Sequence, residues 1–362
     1  MNDEPLEQKL QALFRETMPL SPAQIGRLIK LCLAILLAGE VHITKIARFV
    51  KGDSQQDSRV RWIERLLQAR FLTVGRVYHP VLRVTLSPFK DTCWHLVIDR
   101  TALWDGRIDL ATISLNYRRR ALPLVWCPVP FGGAPLATYT DLVKRCVPLI
   151  PAGTQVVFHG DTEFSGVEMI RTLRAIGWDF MLAQPQHVVF RRRSDLQPQA
   201  LAQLPVRRTG TCQVSNVELF AQDWIGGINL FAFYQPHYTQ VGRCTRRIAY
   251  ICTSLPLTPG TRRLGRRRWG TEPFYRDYKS SGWHVTWSRL QNPQRQNGLL
   301  IILALNYLLC VCAGRILCKM GLRRRIDSKP KRHLSLFRLG WDWLIHLLCS
   351  GLPLPFRLRL YT

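Results

Sequence analysis

From Gln296 to Gly314 the chain runs 19 residues without a charge, and most of that run, GLLIILALNYLLCVCAG, is apolar. A stretch of this kind has two outcomes. It crosses a bilayer, for which 19 residues is near the lower limit, or it forms a helix enclosed by other elements. Gln296, Asn297 and Asn306 are polar and the segment stands alone, while the strands upstream require an apolar helix as cover. The expectation is a core helix. Asn292-Pro293 begins it as cap and first-turn proline, and it ends near Gly321.

With 362 residues the chain has room for two or three domains, and the pattern upstream divides accordingly. Residues 1–90 read as helical: Ser21-Pro22 opens an apolar pattern closed by Gly39, and further helices follow over 43–50 and 57–72. Arg59, Arg61, Arg65 and Arg70 make the last of these basic, which suits a DNA-binding helical domain or an ordinary bundle. WHLVIDR, residues 94–100, reads as a buried strand ending at Asp99. Two β-rich runs, 107–117 and 121–129, meet at an Arg118–Arg120 tip. A helix near 139–147, a strand at 155–158, a helix over 166–176 and a strand at 178–183 complete residues 91–185. Residues 186–264 carry short β-like runs spaced by Pro, Gly and Arg, expected as an antiparallel β insert. The core resumes over 265–330, and 331–362 is a C-terminal tail available to a partner subunit. The fold class expected is α/β, a mixed sheet flanked by helices with a helical N-terminal domain.

The formal net charge of +27 demands an anionic partner, nucleic acid or an anionic membrane. Arginines cluster at 118–120, 191–193, 266–268 and 323–325, and arginine makes the bidentate phosphate contacts that lysine cannot. The 11 cysteines form no CxxC pair, which points to reduced thiols in a cytoplasmic protein without a zinc site. The acidic Met1-Asn2-Asp3-Glu4 start is unlike a signal peptide.

Three acids stand out against this basic background. Asp99 closes the first strand, Asp161 follows the fourth, and Glu272 opens a helix whose Arg276 and Lys279 share its face. Each has a local alternative, a turn cap for the aspartates or a favourable helix N-terminus for the glutamate. Together, strand ends on one sheet edge and a helix beside it would gather carboxylates that only a cation makes tolerable. Mg²⁺ or Mn²⁺, most naturally two ions, fits such oxygen donors and phosphodiester chemistry. Asp105, Asp109, Glu163 and Glu168 are competing acids, with Glu163 placed to support the metal site.

At these residues the chain resembles the DDE transposases of bacterial insertion sequences, in the insertion-sequence-four family, with a ribonuclease H-like catalytic core. VIDRTALWDG resembles the family's first-aspartate block and FHGDTEFSG its second. Arg268, Glu272 and Lys279 fit the spacing of the third block, and Gly265 stands at its tyrosine position. The resemblance implies Asp99, Asp161 and Glu272 as metal-binding catalytic acids. It implies Arg268 and Lys279, beside Arg276, as contacts to DNA-end phosphates. Trp224, in AQDWIGG, is the candidate for stacking on a flipped base, with a turn or core tryptophan as its alternative. The activity implied is cleavage at transposon ends and strand transfer into target DNA, by a homodimer acting on double-stranded DNA in the bacterial nucleoid. A nuclease without strand transfer, and an inactive transposase-derived DNA-binding protein, share the same features.

Overall fold

The structure is a computed structural model that describes residues 5–89, 91–118, 120–192, 197–238 and 244–353. Arg119, Arg193, the side chains of Arg266, Arg267 and Trp269, and the tail from 354 onward lie outside the described residues. The helices preceding the sheet are α1 (Leu6–Thr17), α2 (Pro22–Ala38), α3 (Ile43–Arg48), α4 (Gln56–Leu67) and α5 (His79–Leu86). Then come β1 (Cys93–Leu103), β2 (Ile108–Tyr117), β3 (Arg120–Pro130), α6 (Leu136–Cys146), β4 (Gln155–Gly160), α7 (Val167–Ala175) and β5 (Asp179–Gln184). The insert supplies β6 (Val189–Arg191), β7 (Gln199–Ala200), β8 (Thr211–Leu219), β9 (Ile225–Tyr238) and β10 (Cys244–Thr253). The chain continues through α8 (Pro259–Leu264), α9 (Thr271–Tyr278), α10 (Pro293–Lys319) and α11 (Leu336–Ser350). It divides into two compact units: Met1–Asp91 with Leu103–Arg107 and Tyr275–Thr362, and Thr92–Ala102 with Ile108–Phe274.

The helical unit is built around α10. Asn292 caps it by accepting the Arg295 N–H at 3.1 Å, and Pro293 occupies the first turn. Its apolar residues are buried on every side, each such Leu or Ile contributing about 1.5–3 kcal/mol. By length and composition this helix could cross a membrane, yet 94% of its most apolar window is buried inside the protein, as befits a core helix. Two glycines set its crossing with α11. A Cβ on Gly314 would lie 1.9 Å from the Leu336 carbonyl oxygen, and one on Gly340 would lie 1.7 Å from that of Cys310. Around that crossing Trp283 meets Phe337 edge-on at 5.0 Å, and Tyr307 stacks on Phe337 at 5.2 Å. The capping box of Ser21 with Gln24 and the left-handed Gly39 bound α2 at both ends.

The other unit holds a ten-stranded sheet in the order β3-β2-β1-β4-β5-β10-β9-β8-β6-β7. β1, β4 and β5 run parallel, and their apolar runs are buried, as parallel strands require. β2 and β3 form an antiparallel hairpin. The first five strands in this order and sense make a ribonuclease H-like sheet. β8, β9 and β10 form an antiparallel meander, and β10 pairs with β5, so the insert extends the same sheet. A 3-10 segment, Gly265–Gly270, contacts β2 and β4.

Candidate active site

The register of β1 with β4 fixes two of the acids. Cys93 pairs with Gln155 and Val97 with His159, an offset of 62 residues maintained along the ladder. Asp99 and Asp161 differ by the same 62, and each lies two residues beyond the last pair of that ladder. Beneath them His95 and His159 are buried and hydrogen-bond each other, Nδ1 to Nε2, at 3.0 Å. Asp161 caps a 3-10 turn over Thr162–Phe164, accepting the Glu163 N–H at 3.0 Å.

Asp99 accepts the Arg100 N–H at 2.8 Å on one oxygen and the Thr271 hydroxyl at 2.6 Å on the other. Burial raises its pKa above the ordinary carboxylate value. The bonds from Thr271 and Arg100 lower it, the charge of Asp161 raises it, and that of Arg268 lowers it, with a net rise. The Arg268 guanidinium is 3.7 Å from Asp161 Oδ2. Two carboxylates on adjacent strands are thus balanced in part by one arginine.

The competing acids have other duties. Asp109 is buried and ion-paired to Arg100, and it accepts the Gly132 N–H at 2.9 Å. Glu163 pairs with Arg100 at 2.8 Å and accepts the Tyr139 hydroxyl at 2.7 Å. Burial first, and the bond to Glu163 second, push Tyr139 up to about 12, so it remains a donor. Glu168 accepts the Thr140 hydroxyl at 3.3 Å. Asp105 lies in a turn with φ of 57°.

Glu272 is the second residue of α9 and is exposed. Among the described residues no group of three or more His, Cys, Asp or Glu side chains is arranged to hold a metal. The structure therefore brings Asp99, Asp161 and Arg268 together, with Glu272 one residue beyond the threonine that binds Asp99. Arg276 is exposed in α9, Lys279 is half-buried just after it, and both belong to the helical unit. Trp224 lies in the β8–β9 turn, half-buried, with the Arg191 guanidinium 4.3 Å from its ring centre. Asp223 anchors that turn to α7 through a bidentate pair with Arg171 at 2.6 and 2.7 Å.

Sequence reasoning missed Thr271, Arg100 and Tyr139. Arg100 carried a signal, being a cation at the end of an apolar strand within reach of several acids. Thr271 and Tyr139 carried none, because their partners lie 172 and 24 residues away.

Asp99 lies inside β1, which runs on to Leu103 instead of closing at Asp99 as expected, and Asp161 directly follows β4, in a sheet of ribonuclease H-like order. Residues 135–309, a little under half of the chain, match the transposase DDE domain. The match includes Asp161 and Glu272 and begins after Asp99. No curated protein matches. Among solved structures, a piggyBac transposase synaptic complex with hairpin DNA is 11% identical, with 96% of this chain and 77% of that one covered and a TM-score of 0.46. Marinitoga piezophila Argonaute, in complex with 5′ OH guide RNA and target DNA, is 10% identical, with 62% and 30% covered and a TM-score of 0.23. At these scores neither likeness bears on function.

Proposed function

We propose that this protein is a DDE transposase that cuts DNA at the ends of a mobile element and joins the freed 3′-hydroxyl to target DNA, in the cut-and-paste manner of the insertion-sequence-four family. The observation that carries this reading is the proximity of the Asp99 and Asp161 carboxylates, with Arg268 beside them. The pair fits a divalent cation: the donors are hard carboxylate oxygens, and burial of Asp99 is not offset by its hydrogen bonds. Asp99 and Asp161 would hold Mg²⁺ or Mn²⁺, with Glu272 as the third acid. Such ions, two in the reading favoured here, supply polarisation of the attacking oxygen and stabilisation of the leaving one.

The chain's own groups prepare that chemistry. Thr271 fixes the orientation of the Asp99 carboxylate, and the Glu163 N–H fixes Asp161. Arg268, Arg276 and Lys279 contact backbone phosphates, and Trp224 is the base-stacking candidate of the insert. The net charge of +27 supports double-stranded DNA as partner, both element ends and target. In this reading residues 1–90 bind DNA, 331–362 contact a second copy in a homodimer, and the protein works in the cytoplasm on the nucleoid.

The test is cleavage of DNA carrying the element's ends by Asp99→Ala, Asp161→Ala and Glu272→Ala. Each variant is expected to lose Mg²⁺-dependent cleavage and keep DNA binding. Retained cleavage in any one removes that residue from the metal site. Joined products separate a transposase from a simple nuclease. The exposure of Glu272 favours one second reading, an inactive DNA-binding descendant, which a wild type that binds DNA but never cuts it would select.

A further inference from the structure

The Arg323–Arg325 cluster is not used by the chemistry proposed above, and neither is the basic stretch that follows it, SKPKRH at 328–333. Both belong to the helical unit, in the connection from α10 to α11. Between Lys319 and Trp341 the chain has one acid, Asp327, and it is buried. Its carboxylate accepts the N–H groups of His333 at 2.7 Å, Leu334 at 3.1 Å and Lys329 at 3.4 Å. Arg323 pairs with it at 3.3 Å and donates to the carbonyls of Asp327, Lys329 and Pro330 at 3.0, 2.8 and 2.9 Å. One arginine and one aspartate thus fold the connection around themselves.

The other cations here are exposed: Arg324 and Arg325 on the 3-10 turn Leu322–Arg325, and Lys329, Lys331 and Arg332 on the loop. None of them makes an ion pair among the described residues. A basic run that only meets water needs no fixed backbone. Ordering this one costs conformational entropy and holds like charges close together. The single carboxylate of the segment is turned inward, where it shapes the loop without neutralising what the loop displays. Residues 319–335 include no Asn, Gln, Phe, Tyr or Trp to read or stack on a base. What the surface offers is charge, as arginine forks and lysine points, and that suits phosphate.

We infer that the α10–α11 connection is a sequence-neutral phosphate-binding platform, shaped by Asp327, on which the helical unit holds the backbone of duplex DNA. The inference rests on DNA as the partner proposed above, and it takes Lys331 and Arg332 out of the segment given to a second copy. The experiment uses the full chain, without divalent metal, and two short duplexes of unrelated sequence, with affinity followed against salt. Lys329→Ala, Lys331→Ala and Arg332→Ala, combined in one variant, leave the bonds to Asp327 in place, because those come from backbone groups and Arg323. That variant should weaken both duplexes equally, about tenfold at low salt, and reduce the slope of log affinity against log salt by about three. Asp327→Asn, measured well below its melting temperature, adds a positive charge yet should weaken both duplexes about tenfold, because the preshaped surface is lost. Asp141→Asn, at an exposed acid of α6, makes the same change of charge and should bind as wild type does or slightly tighter. A triple variant with wild-type affinity and slope would overturn the inference. So would one that loses binding to phosphatidylserine vesicles and not to DNA, or an Asp327→Asn protein that binds more tightly, as charge alone dictates. In each of those cases, cleavage of end-bearing DNA by the wild type leaves the transposase reading standing. A wild type that binds both duplexes through this platform and never cuts overturns that reading and leaves the platform.

Discussion

Two aspartates, one in each unit, show how differently the same side chain is used. Asp327, in the helical unit, is buried. Burial works against its charge, but the N–H groups of His333, Leu334 and Lys329, at 2.7, 3.1 and 3.4 Å, and Arg323 at 3.3 Å prevail, so its pKa is lowered. Asp99, in the sheet unit, accepts from Thr271 and Arg100 and has a like charge nearby, and burial prevails. A carboxylate that gathers several backbone N–H groups organises a loop. One whose charge burial disfavours is suited to a cation that arrives later. The contrast extends to the units. The helical one is fixed by apolar contacts and touching glycines, and the sheet one carries charged groups at the edge where chemistry is expected.

The strongest challenge to this contrast is aimed at packing. Gly340→Val places side-chain atoms where the Cys310 carbonyl already lies, and should cost about 3 kcal/mol or more, read from denaturant midpoints. A mild effect would mean that α10 and α11 can part without penalty. A smaller effect is expected at the site. Thr271→Val keeps the shape and removes the hydroxyl on Asp99, so cleavage should fall about tenfold with little change in melting temperature, and Thr271→Ser should restore it. Unchanged cleavage would make Thr271 a packing residue only.

The smallest effect is in the pH dependence without metal. The lowered pKa of Asp327 gives stability present above the ordinary carboxylate value, about 3.9, and lost as pH falls through its folded value. Asp327→Asn should therefore lower the melting temperature at neutral pH, with the gap to wild type closing in acid. The raised pKa of Asp99 has the opposite sign: its cost appears as pH rises from about 3.9 through the folded value. Asp99→Asn should match or exceed wild-type stability at neutral pH and converge with it in acid. Equal slopes for both variants would erase the distinction.

Much of the fold was legible because its cues are local. Ser21-Pro22 and Gly39 bound a helix found at Pro22–Ala38, and Asn292-Pro293 opens one found at Pro293–Lys319. WHLVIDR reads as a strand because both faces are buried, which gives a continuous apolar run. α1 was not delimited, since LEQKLQALFRET buries only Leu6, Leu10 and Phe14. The π turn at Val74–Tyr78 leading into α5 has no simple sequence signature. At the site, Asp161 was legible as a strand end, whereas β1 continues past Asp99 to Leu103. The Thr271 bond to Asp99 and the Arg191 cover on Trp224 arise from tertiary contact, which spacing does not encode.

The ladder between β1 and β4 also limits how this gene can change. The turns that link the hairpin and α6 can lengthen or shorten more readily, because they do not enter that ladder. Losing a single codon within β4 would invert the outlook of every later side chain in that strand and turn Asp161 toward the opposite layer. A lineage could thus keep every acidic letter in its reading frame and still fall silent.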